Sequence, residues 1–92
     1  MIHYPRPDQQ SIMKLGHIDI VRNNVMERYH IQNVSWSAGV FRIDTLNLTT
    51  RYGVSFEMRG YERITRETIA KKVEHILARV DHLEAHRRRL GL

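Results

Sequence analysis

The stretch Thr65–Arg89, TRETIAKKVEHILARVDHLEAHRRR, decides the fold of this chain. It holds no Gly and no Pro, and Ile69, Val73, Ile76, Val80 and Leu83 recur at alternating steps of four and three. At about 100° per residue these five stack into one apolar stripe, which predicts a long helix lying on a core. Thr65 is the expected N-cap. Glu67 falls in the first turn, where unpaired backbone N–H groups favour a carboxylate. Arg87, Arg88 and Arg89 fall in the last turn, where cations suit the exposed carbonyls, and Gly91 follows as a stop. The flanks of the stripe are unlike. Lys72, His75, Arg79, His82 and His86 lie to one side, and Glu74, Asp81 and Glu84 lie mostly on the other.

Immediately upstream the apolar period changes from helical to alternating. Val54, Phe56 and Met58 are separated by Ser55, Glu57 and Arg59, the signature of a strand with one face buried. Before it, Val40–Leu48 is rich in β-branched residues. Phe41 and Ile43 share one face there, whereas Leu46 and Leu48 share the other. The phase slips near Thr45, which predicts a bulge or a twist. Val34–Trp36 reads as a short strand closed by Ser37-Ala38-Gly39, and Thr49–Gly53 as a turn. Trp36 is expected to plug the core with its indole N–H on a backbone carbonyl.

Residues 9–31 admit two readings. Leu15, Ile18, Val21, Val25 and Tyr29 fall at helical spacing, and Asp8 or Ser11 is available as a cap. The rival is a hairpin with strand Ile18–Arg22, turn Asn23-Asn24 and a second strand through Met26–Ile31. The five matched positions favour the helix, although Gly16 and the Asn pair weaken it. Residues 1–8 hold both prolines, Pro5 and Pro7, and read as an irregular arm. The 92 residues thus predict a single small α+β domain: an antiparallel β meander packed against a long C-terminal helix, with an N-terminal helix.

Composition narrows the function classes. There is no cysteine, so disulfides and thiolate metal sites are excluded. No apolar run approaches the roughly 20 residues that span a bilayer, and the first residues lack the apolar core of a signal peptide. No membrane partner is expected. The glycines are scattered rather than gathered in a phosphate-cradling motif, and Ser11, Ser35, Ser37 and Ser55 lie in no nucleophile-elbow pattern. The expectation is a protein that is not an enzyme. His82 and His86 project together from a helix, with His75 two turns back, but a metal site needs a third or fourth ligand. No metal and no cofactor is expected.

Cationic residues are the stronger signal. The formal net charge is +5, and of the 15 Lys and Arg only Arg6, Lys14, Arg22, Arg28 and Arg42 lie in the first half. Arginine dominates the remainder, and guanidinium pairs bidentately with phosphate or carboxylate. The candidate partner-binding residues are Lys72, His75, Arg79, His82, His86, Arg87, Arg88 and Arg89. A plain solvated face is the competing reading of the flank, and complementing the helix C-terminus is that of the arginine triplet. Tyr52 and Tyr61, near Arg51 and Arg63, have the composition of a base-stacking platform. The reading preferred for both is that they cover the sheet edge, because no known single-strand-binding pattern surrounds them.

As overall character, the Pro5–Pro7 arm, the Val40–Met58 meander and the Arg-rich Thr65–Arg89 helix resemble a phage or mobile-element anti-CRISPR protein directed at a type I-F surveillance complex. The family has no common motif, so the resemblance carries over no functional residue. It implies a stoichiometric inhibitor acting in the host cytoplasm as a monomer when free. Its partner would be a ribonucleoprotein effector, with protein subunits and guide RNA both in reach, and its effect a block of target DNA recognition. Two rivals stand beside it. One is a small basic nucleic-acid-binding regulator or RNA chaperone. The other is an assembly protein whose last helix pairs with a copy of itself through the four–three seam.

Overall fold

The computed structural model describes residues 8–91, with the side chain of Arg88 outside that description. The expected arm at residues 1–8 therefore lies outside it, save for Asp8. The element order is α1 (Gln9–Lys14), β1 (His17–Arg22), β2 (Val25–Ser37), β3 (Val40–Leu46), β4 (Gly53–Arg59) and α2 (Arg66–Arg89). The strands form one antiparallel sheet in the order β1-β2-β3-β4. The fold is α+β.

Residues 9–31 correct the favoured helix. A helix does form, capped by the Asp8 carboxylate accepting from Ser11 N–H at 2.7 Å, but it ends at Lys14. The remainder is the hairpin. Asn23 and Asn24 both take positive φ, 53° and 64°, between the paired Arg22 and Val25. That is the two-residue turn whose twist matches paired strands, and asparagine tolerates it better than most residues. The helical spacing of Leu15, Ile18, Val21, Val25 and Tyr29 is coincidental. Ile18, Ile20, Tyr29 and Ile31 are buried, whereas Val21 and Val25 are exposed. Ala38 and Gly39 (φ 51° and 78°) make the same kind of turn between Ser37 and Val40. The short Val34–Trp36 strand is the end of the 13-residue β2.

The phase slip expected near Thr45 does not occur in β3, which alternates regularly through Leu46; a bulge does lie opposite it, on β2. Ile31 pairs with Thr45 and Asn33 with Asp44, leaving Gln32 as the bulge. Thr45 stays on the inner face, buried, its Oγ1 donating to the Val54 carbonyl at 2.8 Å. Val54, Phe56 and Met58 point inward as their alternation predicts. Trp36 departs from its expected role. It is 44% exposed and leans on Phe41 with ring centroids 4.3 Å apart, covering the end of the core rather than filling it. Gly60 lies beneath the indole so closely that a Cβ there would meet Trp36 Cη2 at 2.7 Å.

Both helices cover one face of the sheet. Ile12 anchors α1, and Ile69, Val73 and Leu77 anchor α2, each essentially fully buried. Burial of each such side chain contributes about 2 kcal/mol. A guanidinium ties the two helices together: Arg66 donates to the Leu15 carbonyl through Nε and Nη2, at 3.2 and 2.9 Å. The opposite sheet face is left uncovered by the described residues; it carries the exposed Val21 and Met26 beside an Asp19–Arg28 pair at 2.8 Å. The hydrogen bond from Arg28 holds the Asp19 carboxyl below its usual range.

Candidate functional site

Helix α2 starts where Thr65 sets it. Thr65 N–H donates to Thr68 Oγ1 at 2.8 Å and Thr68 N–H donates back to Thr65 Oγ1 at 3.3 Å, a reciprocal cap closed by two threonines. From there the buried row runs Ile69, Val73, Leu77 at steps of four. This is rotated from the four–three stripe: Leu77 takes the fully buried place expected for Ile76, which packs against the core but is only partly buried. The reason is length of contact. An α-helix crossing a sheet needs to bury only about two turns, and over two turns an i, i+4, i+8 row stays within about 80°. Past Asp81, which pairs with Arg22 at the end of β1, the sheet no longer lies beneath the helix. Val80 is half-buried, Leu83 is 58% exposed, and every described side chain from Asp81 onward is exposed.

This geometry puts the cationic flank in water. Taking Val73 as the direction of the core, Lys72, His75, Arg79, His82 and His86 fall within an arc about 80° wide on the far side of the helix. They span about 21 Å along its axis. Lys72 is half-buried along its stem, and His75, Arg79, His82 and His86 are exposed. Arg87 and Arg89 are exposed too, but they wind around the helix end instead of extending the flank: Arg87 turns to the sheet side of the axis and Arg89 to the far side. Arg88 lies in the last turn, its side chain outside the described residues.

No carboxylate of the described residues pairs with this flank. Among the described residues the ion pairs are Arg22–Glu27, Arg22–Asp81, Arg28–Asp19 and Arg42–Asp44, and none includes a flank residue. Asp81, on the other side of α2, is turned to Arg22 at 3.3 Å. Arg22 also meets the mostly buried Glu27 at 2.9 Å, so one guanidinium joins the hairpin tip to the helix. Nearby, burial and the Glu27 carboxylate push the Tyr29 phenol up.

The structure adds a feature that spacing did not disclose. Between the β4–α2 loop and the first turns of α2 lies an open groove of about 560 Å³, where Tyr61 and Arg63 meet Lys71, Lys72 and His75. Met58 and Thr68 complete its lining, with Glu62 as its single acid. Glu62 is engaged, its Oε1 accepting from Arg59 N–H at 3.2 Å. Tyr61 does not cover the sheet edge as expected, since it is 83% exposed; Tyr52 is 43% exposed. Sequence reading had both halves of this groove and no means of joining them: the Gly60–Thr65 connection does that.

Among the described residues no three His, Cys, Asp or Glu side chains gather as a metal site would require, and no helix is long and apolar enough to cross a membrane. A second depression of about 460 Å³ lies between the hairpin tip and the loop after β3, bordered by Arg22, Met26, His30 and Leu48. Compared with protein-family models, with curated proteins and with solved structures, the chain has no match in any of the three.

Proposed function

We propose that this protein is a non-enzymatic inhibitor that docks the projecting half of α2 onto a ribonucleoprotein, of the class formed by RNA-guided CRISPR surveillance complexes, and so blocks target DNA recognition. One observation carries the reading. Arg79, His82 and His86 stand in solvent with no carboxylate of the described residues paired to them, on a helix segment that the domain itself does not cover. Folding leaves the Arg79 guanidinium without a described carboxylate, with two imidazoles beside it, and a phosphate or carboxylate surface can pair the one and accept hydrogen bonds from the others. A net charge of +5 argues against mimicry of DNA. It suits contact with guide-RNA phosphates and with acidic side chains of the subunits.

The test is capture of the assembled complex by the immobilised protein. Arg79→Glu combined with Arg89→Glu is expected to weaken capture by about 2 kcal/mol, roughly thirtyfold, at unchanged thermal stability. Unchanged affinity of the double variant would remove α2 as the docking surface.

A further inference from the structure

We infer that the groove between the β4–α2 loop and α2 holds one unpaired nucleotide, its base against Tyr61 and its phosphates among Arg63, Lys71 and Lys72. This deepens the function proposed above and rests on it, because it names single-stranded RNA as the surface that the cationic flank follows.

Three features point to a nucleotide rather than to an anion alone. First, the groove joins an aromatic ring to cations. Tyr61 is 83% exposed, and Arg63, Lys71 and Lys72 stand along the same depression. Stacking on an aromatic side chain is how proteins hold an unpaired base without reading its sequence. Second, the local charge is one-sided. The lone acid, Glu62, stands against Arg63, Lys71 and Lys72 and forms no ion pair with them among the described residues, so the groove keeps a net positive charge. Third, the groove opens onto the flank. Lys72 and His75 belong to both, so a strand leaving the groove runs directly over Arg79, His82 and His86. The open shape admits a chain that enters and leaves, and a closed pocket would not.

The experiment is fluorescence anisotropy with a labelled ten-nucleotide uridylate RNA at low salt, alongside an oligomer of the same length lacking bases. The intact protein is expected to bind the uridylate. Tyr61→Ala should weaken that binding about tenfold, Tyr61→Phe should keep it within about twofold, and neither should alter binding to the baseless backbone. Lys72→Glu should weaken both oligomers, with a shallower dependence on salt. The inference fails if the intact protein leaves the uridylate unbound. It also fails if Tyr61→Ala binds as the parent does, or loses both oligomers equally. Its failure is separable from that of the inhibitor reading. Capture of the complex that survives Tyr61→Ala and is lost with Arg79→Glu/Arg89→Glu, together with no uridylate binding, overturns the nucleotide groove alone. Uridylate binding that needs Tyr61, with capture indifferent to the arginine pair, overturns the docking surface alone.

Discussion

Arg22 carries more structural responsibility than its place at a hairpin tip suggests. Its Nε lies 2.9 Å from Glu27, whose side chain is only 14% exposed, and its Nη1 lies 3.3 Å from Asp81 on α2. Glu27 Oε1 is buried and has no aligned hydrogen bond, so the guanidinium charge is what compensates it. Arg22→Met is therefore expected to cost about 1–2 kcal/mol in urea unfolding followed by Trp36 fluorescence, discounted for the partial exposure of the pair. Adding Glu27→Gln should recover most of that loss, because the uncompensated charge is then gone. A double variant as unstable as the single one would assign the effect to lost packing by the arginine stem. The same residue accounts for a sequence-level ambiguity. Nothing in the spacing of Arg22, Glu27 and Asp81 announces a contact across 59 residues, and only the hairpin brings the three together.

Helix α2 is one element with two mechanical characters. Leu77 is 1% exposed and Leu83 is 58% exposed, six residues apart on the same helix. Leu77→Ala is expected to cost about 3 kcal/mol and Leu83→Ala less than about 0.5 kcal/mol, read from paired urea titrations. Amide exchange should follow the same division, slow through Val73 and Leu77 and fast from His82 onward. Similar costs at the two leucines would mean that the outer half is covered. How legible each element was follows from the physics of its pattern. β4 was readable because Val54, Phe56 and Met58 alternate without interruption, and α2 because nothing in it breaks a helix. Its unlike flanks, and with them most of the candidate site, followed from angular spacing alone. Residues 9–31 were not readable by periodicity, since Ile18, Val21, Val25 and Tyr29 mimic a helical face. The deciding chemistry was local, in Asn23 and Asn24. The groove at Tyr61 was illegible for a different reason: it is formed by a loop returning to a helix, and periodicity describes elements, not their junctions.

The whole molecule is long for its size. Its principal extents are 57 × 24 × 20 Å and its radius of gyration is 15.2 Å, against about 12 Å for a compact domain of this length. The excess comes from α2 continuing after the sheet has ended. Small-angle scattering of a dilute solution should give a radius near 15 Å with the pair-distance tail of a rod attached to a globule. A value near 12 Å would mean that the helix end folds back. Shape also bears on force. Beyond Leu77 about twelve residues run some 18 Å to the tip, and the Arg22–Asp81 bridge sits near the inboard end of that span. A ligand gripping the tip thus holds the handle of a crank whose pivot is the sheet. Swinging the handle by 10° carries its end about 3 Å, so a small rotation of the body is amplified into a displacement of several ångströms at the far end of the helix.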